Sequence, residues 1–168
     1  MPNFSDCVIL SQKKQNKWGE QTHAKEIQHE LARRILATFA FYMIGFVWYA
    51  FLFQDVWLAA SGMTLAETEA IAEAQGPMIL VWGLLITLAQ ALGLLWVINL
   101  AGAKTLTKCL EIAFWLFLMF GAPLLAYACL YDGYSLAGIL MDYGHILIGW
   151  GVMAAIYALF RRRDAGAA

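Results

Sequence analysis

An acid and a histidine one helical turn apart are the residues of this sequence best suited to proton chemistry. Asp142 and His145 stand at positions i and i+3 of an apolar stretch, so they share one face of a helix. A carboxylate that holds an imidazole can make a proton switch. Ionisable residues inside membrane spans are functional candidates by default. The plainer alternative is a hydrated pair that closes the outer end of a helix bundle.

A third candidate is the amide of Gln90, which lies near the middle of a different stretch that has no charged residue. Thr87 and Gly93 flank it on the same helix face. An amide at that depth points into the bundle and bonds another helix, which is a structural role. The functional alternative is a place on a path for a solute or a proton.

Recognisable catalytic and metal-binding signatures are missing from the sequence. His29 and Glu30 do not begin a zinc-binding helix, because no second histidine follows four residues after His29. We find no phosphate-binding loop, no dinucleotide fingerprint, no CxxC pair and no GxSxG elbow. We therefore predict no enzyme activity, no catalytic residue, no cofactor and no metal ligand.

The elements that must position these residues are membrane spans. The chain has 168 residues, of which 62% are hydrophobic and only 14% charged. Four predominantly apolar runs approach or exceed the roughly 20 residues that a helix needs to cross a bilayer. Their predicted bounds are about 35–53, 79–101, 110–131 and 139–160. The predicted fold class is an all-α integral membrane bundle of four transmembrane helices, with a four-helix domain over 34–161 and a short tail over 162–168.

The distribution of basic residues predicts how this bundle is oriented. All 11 Lys and Arg residues fall before span one, between spans two and three, or after span four. Because basic loops stay in the cytoplasm, both termini are predicted to be cytoplasmic. The formal net charge of −1 gives no reason to expect nucleic acid. The basic residues are Lys13, Lys14, Lys17, Lys25, Arg33, Arg34, Lys104, Lys108, Arg161, Arg162 and Arg163.

Residues 1–33 form a polar arm before the first span. Within it, apolar residues recur at spacings of three and four, which indicates an amphipathic helix lying at the membrane interface and running into span one. This stripe consists of Ala24, Ile27, Leu31 and Ile35.

The first outer connection and the third and fourth spans carry local signals. Thr64 and Glu67 have the spacing of a capping box, which predicts a short helix from Leu65 to about Ala74. Pro123 removes a backbone hydrogen bond and predicts a kink in span three. In span four, glycines predict close approach of a neighbouring helix. They are Gly144, Gly149 and Gly151.

Aromatic and acidic residues gather at the predicted outer end. An aromatic belt at the membrane surface is one interpretation, and an acidic vestibule that attracts cations is the other. This outer cluster comprises Trp48, Tyr49, Asp55, Trp57 and Asp132.

The end of span one has the pattern Gly45-x-x-Trp48-Tyr49-x-x-Leu52-Phe53-x-x-x-Trp57. With Asp132-Gly133 after span three and Asp142-Tyr143-Gly144 in span four, it resembles an uncharacterised bacterial membrane family, domain of unknown function 1761. The similarity covers roughly residues 37–160. The resemblance implies a four-helix protein of the bacterial inner membrane with no known activity. It also draws attention to Trp48, Tyr49, Trp57, Asp132 and Asp142.

Three functions remain open from the sequence. The first is a non-catalytic accessory or structural subunit, with the lipid bilayer and other membrane proteins as partners. The alternative is a small transporter or channel that uses Gln90, Asp142 and His145. That alternative calls for a homo-oligomer, because four helices alone enclose little room. A membrane enzyme acting on a lipid or quinone is the third and weakest hypothesis.

Overall fold

The computed structural model describes residues 27–166, without the side chains of residue 128 and residues 161–166. Every regular element in this part of the chain is helical, and it contains no strand. Four helices are long and apolar enough to cross a membrane: α1 (Ile27–Leu52), α4 (Met78–Leu100), α5 (Leu106–Tyr131) and α6 (Leu136–Gly166). Two shorter helices, α2 (Gln54–Ser61) and α3 (Leu65–Gln75), connect α1 to α4. The predicted bundle of four transmembrane helices is confirmed.

The chain divides into two units, Met1–Arg33 and Arg34–Ala168. Of the first unit, the described residues belong to the first turns of α1, where Arg33 lies 3.5 Å from the Glu30 carboxylate and donates to the His29 carbonyl. Ile27 and Leu31, two residues of the predicted amphipathic stripe, are exposed. Ala24 lies outside the described residues, and the interfacial position of this helix stays a prediction.

The core of the second unit is built mainly from small side chains and a few large ones. Small residues let helix backbones approach closely, which is the main source of packing energy between helices in lipid. Tyr157, Leu95, Ile98 and Met153 are the largest fully buried residues. The other core members are Ala37, Phe41, Ala91, Leu94, Ala103, Cys109, Ala113, Ala154 and Ala158.

Glycines bring α1 and α6 together. A Cβ atom added at Gly149 would lie 2.1 Å from the Phe41 ring, and one at Gly144 would lie 3.0 Å from the Trp48 ring. These two approaches confirm the predicted role of Gly144 and Gly149. Gly151 differs, because its nearest neighbour there would be Leu110 at 4.0 Å, an ordinary contact.

The turn between α2 and α3 confirms the capping box. The Thr64 hydroxyl accepts from the Glu67 N–H, and the Glu67 carboxylate accepts from the Thr64 N–H at 2.7 Å. The exchange satisfies two N–H groups that a helix start leaves free. Helix α3 ends at Gly76, whose φ of 58° suits glycine.

Two transmembrane helices contain a π-helical turn, one over Trp48–Leu52 in α1 and one over Phe117–Gly121 in α5. The second turn ends two residues before Pro123, whose missing N–H cannot bond the Met119 carbonyl. A wider helical turn thus stands directly before the proline, and the kink predicted at Pro123 stays a prediction. Tyr143 of α6 donates to the Ala122 carbonyl at 2.8 Å, next to the proline.

The two ends of the bundle differ in chemistry. We call the end at which α5 leads into α6 the Asp142 end, and the turn between α4 and α5 the Lys104 end. At the Lys104 end, the Tyr157 hydroxyl donates to the Asn99 side chain. Lys108 pairs with Glu111 at 2.7 Å, as the i, i+3 spacing of these residues predicts.

Candidate functional site

The candidate site is a hydrogen-bonded group formed by α1 and α6 near the Asp142 end. The Tyr49 hydroxyl donates to Asp142 Oδ1 at 2.7 Å and lies 3.3 Å from His145 Nδ1. Asp142 and His145 thus share a helix face, as their spacing predicts, and Tyr49 of the first span bridges them. All three side chains are partly buried.

The bridge determines where the proton of a neutral His145 resides. Tyr49 has one hydroxyl proton, and the short bond to Asp142 uses it. The Tyr49 oxygen can therefore only accept from His145 Nδ1, so the imidazole proton lies on Nδ1 while Asp142 is ionised. His145 Nε2 is then a bare acceptor.

No hydrogen-bond partner of His145 Nε2 lies within the described part of the chain, although this atom is buried. The ring stacks on Phe41 at a centroid distance of 5.0 Å and meets the Tyr49 ring edge-on at 5.0 Å. A Cβ atom at Gly45 would lie 3.1 Å from Nε2. Glycine at this position therefore leaves room beside the nitrogen.

A cavity of about 210 Å³ adjoins the imidazole between α1 and α4. Its lining includes Gly45 and Tyr42 of α1, Gly83 and Thr87 of α4, and His145. The Thr87 hydroxyl donates to the Gly83 carbonyl at 2.8 Å, which leaves its oxygen able to accept a further bond. The cavity has room for several water molecules or one small polar molecule.

Tyr134 connects this site to the loop between α5 and α6. Its phenol lies near Asp142. Burial raises the pKa of Tyr134 to about 12, and the nearby Asp142 charge adds to the effect. Tyr134 therefore remains a neutral phenol beside Asp142 across the physiological pH range.

The structure divides the predicted outer cluster. Trp48 and Tyr49 contact the His145 ring, and the Trp48 indole nitrogen is buried without a partner among the described residues. Asp55 and Asp132 are exposed, and Trp57 is half-buried in α2. Asp142 is the acid that bonds the Tyr49 hydroxyl.

Gln90 occupies a separate place. Its side-chain oxygen accepts from the Trp150 indole N–H at 2.9 Å, which joins α4 to α6. This bond confirms the interpretation that the amide bonds another helix. Gln90 and Trp150 line a cavity of about 330 Å³ beside Phe120 of α5, whereas Asp142 and His145 are absent from its lining.

Comparison with known proteins places most of this chain in one family. The family described as protein of unknown function, DUF1761, matches residues 34–158. The chain belongs to this family. No curated protein and no solved structure matches it.

The DUF1761 match includes the whole candidate site. Tyr49, Tyr134, Asp142 and His145 all lie inside residues 34–158, as does Gln90. The polar arm before residue 34 lies outside the match. Within the described residues, no three His, Cys, Asp or Glu side chains are grouped so that they could hold a metal ion.

Sequence reasoning identified Asp142 and His145 but missed how they are joined. Tyr49 was assigned to the outer aromatic cluster, and its hydroxyl was given no role. The depth of each residue could have revealed the bridge, because Tyr49 lies near the end of span one and Asp142 near the start of span four. The contacts of Tyr134 with Asp142 and of Tyr157 with Asn99 had no sequence signal, because loop paths and helix rotations decide them.

Proposed function

We propose that this chain is a non-catalytic accessory or structural subunit that packs against other membrane proteins. The supporting observation is that its polar side chains bond within the chain, whereas its apolar side chains face outward. Polar groups inside the spans join the chain's own helices through Tyr49–Asp142, Gln90–Trp150 and Tyr157–Asn99. The outward faces are apolar and aromatic, and only 12% to 28% of the residues in each apolar stretch are buried.

One outward face is well suited to pack against a neighbouring helix. Ile35, Phe39, Met43 and Phe46 recur at spacings of four, four and three along α1, and all four are exposed. We call these residues the α1 stripe. Side chains at this spacing form one ridge, and ridges of this kind fit the grooves of another helix. In lipid, such van der Waals fit is a principal source of helix association.

Site-specific photo-crosslinking in the native membrane tests the subunit proposal. A benzoylphenylalanine at Phe39 or Phe46 is expected to capture one defined membrane protein in high yield. The matched control carries the probe at Leu124, an exposed residue of α5 that is 69% accessible. Equal labelling of lipid and scattered proteins from all three positions would contradict the proposal, as would migration of the gently extracted chain alone on a native gel.

The alternative function is a small proton-coupled transporter or channel, and the unpartnered His145 Nε2 is the observation that favours it. A proton that reaches Nε2 from the cavity makes an imidazolium. The Nδ1 proton can then pass to the Tyr49 oxygen while the Tyr49 proton passes to Asp142. The result is a protonated Asp142, a neutral Tyr49 and an imidazole that now bears its proton on Nε2. One proton has moved from the cavity to Asp142, and Tyr134 connects Asp142 to the loop.

Proton flux into liposomes, followed with an enclosed pH dye, tests this alternative. Tyr49→Phe removes the relay oxygen, so flux is expected to fall at least tenfold. The combined Asp142→Asn and His145→Ala variant is expected to abolish the flux. Tyr127→Phe is the matched control, because the described structure shows no hydrogen bond for the Tyr127 hydroxyl. Flux that persists in the double variant would exclude the relay, and loss of flux in Gln90→Leu alone would move the path to the other cavity.

A further inference from the structure

A long groove runs between α4 and α5 from the Lys104 end toward the middle of the bundle. Its wider part has a volume of about 690 Å³ and is walled by residues that include Ile112, Trp115 and Met119. It shares Val97, Leu116 and Phe120 with the 330 Å³ cavity beside Gln90. The two cavities are therefore neighbours along one continuous apolar wall.

The length of this groove corresponds to one leaflet of a bilayer. From Ala101 at its mouth to Gln90 at its inner limit, α4 advances 11 residues, or about 16 Å. Half of the hydrocarbon core of a bilayer is about 15 Å thick. An acyl chain that enters at the Lys104 end would thus reach the midplane at the Gln90–Trp150 pair.

The mouth of the groove carries groups that attract an anion. Lys104, Lys108 and Glu111 all line it, and Lys108 pairs with Glu111 at 2.7 Å. Two cations and one carboxylate leave one net positive charge, and Lys104 makes no ion pair with any described residue. Helix α5 also begins here, with Thr105 as its N-cap. The N–H groups of the first helical turn lack intrahelical acceptors and favour negative charge.

We propose that the groove binds one anionic phospholipid. Its phosphodiester lies at Lys104 and the start of α5, and one acyl chain lies along Trp115 and Phe120 toward Gln90. The single net positive charge of the mouth matches a headgroup with one negative charge, such as phosphatidylglycerol. A zwitterionic headgroup would bring its own cation to a mouth that is already positive. This proposal is independent of both functions above.

Native mass spectrometry of the full chain tests the proposal. The protein is extracted from vesicles that contain equal amounts of phosphatidylglycerol and phosphatidylcholine with the same acyl chains. We expect one retained phosphatidylglycerol and at least a fivefold preference over phosphatidylcholine. In Lys104→Gln with Lys108→Gln, the preference is expected to vanish. Glu111→Gln, which raises the positive charge of the mouth, is expected to strengthen it.

A second pair of variants tests the acyl part of the groove. Val97→Trp places an indole where the two cavities meet and is expected to reduce lipid retention at least fivefold. Leu85→Trp adds the same bulk to an exposed position of α4 outside the groove and is expected to retain the lipid. Circular dichroism and size-exclusion chromatography establish that each variant is folded.

Quenching by brominated lipid provides a readout that does not depend on retention in detergent. The signal of Trp115 is the difference in fluorescence between the parent and the Trp115→Phe variant. We expect brominated phosphatidylglycerol to quench this signal more strongly than brominated phosphatidylcholine does. Equal quenching of the parent by both lipids, or a phosphatidylglycerol preference that survives in the double lysine variant, would overturn the proposal. Binding of inorganic phosphate at the mouth without retained lipid would also overturn it, because the groove would then be a site for a free anion.

Discussion

The phenol of Tyr49 lies 2.7 Å from Asp142 Oδ1, and this bond joins residues 93 positions apart in the chain. It ties the first transmembrane helix to the last and positions the imidazole of His145 through the same oxygen. The Tyr49 hydroxyl therefore both holds two helices together and fixes the hydrogen bonding of His145. Tyr49→Phe, which removes this oxygen atom, tests both roles.

Tyr49→Phe is expected to destabilise the fold by about 1–3 kcal/mol, because a partly buried carboxylate loses a hydrogen-bond donor. The glycine contacts Gly149–Phe41 and Gly144–Trp48 still join α1 to α6, so we expect a folded protein. Reversible unfolding in mixed micelles measures the change. Tyr127→Phe is the control and should remain within about 0.5 kcal/mol of the parent, as surface substitutions do. Equal stability of both variants would show that the bridge contributes nothing.

The proton of a neutral His145 is expected to lie on Nδ1. Nitrogen-15 spectra of the labelled histidine ring distinguish a protonated from a bare nitrogen. In the parent protein the bare nitrogen should be Nε2, whereas Tyr49→Phe should lose this preference because the acceptor for Nδ1–H is gone. A parent spectrum with the proton on Nε2 would mean that Tyr49 donates to the histidine instead of to Asp142.

Gly149→Ala is expected to destabilise the protein by about 1–3 kcal/mol, the usual range for an overpacked core. The new methyl group would lie 2.1 Å from the Phe41 ring, which in turn stacks on His145. Thermal unfolding followed by circular dichroism measures the effect. Gly93→Ala is the matched control, because nothing lies within 4 Å of its added Cβ and alanine favours a helix. A neutral Gly149→Ala variant would contradict the close packing of α1 on α6.

Gln90 and Trp150 are expected to behave as a coupled structural pair. The stability changes of Gln90→Leu and Trp150→Phe should add up to more than that of the double variant, with a coupling of about 0.5–2 kcal/mol. Unfolding of the parent, both single variants and the double variant completes the cycle. Additive changes would mean that the bond between α4 and α6 contributes no net free energy to folding.

Helix α3 is expected to fray in acid. The backbone N–H of Thr64, and then its hydroxyl, lower the pKa of Glu67 below its ordinary value of 4.5. The capping contribution is therefore fully present above pH 4.5 and is lost as the pH falls through the lower folded value. Amide signals of Thr64 and Glu67 should lose dispersion in this range. Glu67→Gln should make them less sensitive to pH, whereas Glu69→Gln should leave the transition in place.

The sequence predicted the helical architecture well because the signals involved are local. Hydrophobic runs such as 79–101 define spans by length and composition alone, and the Thr64–Glu67 capping box depends on residues three apart. The pair of Asp142 and His145 was likewise predictable from its spacing on one helix. Each of these features needs knowledge of only one element.

Contacts between helices could not be derived in the same way. The face of α1 that meets α6 depends on the rotation of each helix about its own axis. The contacts Gly149–Phe41 and Gly144–Trp48 determine that rotation. With this rotation, Tyr49 faces Asp142 and can bond it. The π-helical turn at Trp48–Leu52 also has no clear sequence signal, although it carries the residue that bridges the site.

That π-helical turn determines the direction in which the chain leaves α1. A π turn accommodates one extra residue, and each residue of an α-helix advances by about 100°. The turn forms the last five residues of α1, and the non-helical Phe53 separates it from α2. The extra residue therefore rotates the point at which α2 begins. Deletion of one residue among 50–52 is expected to turn α2 to a different side of the bundle.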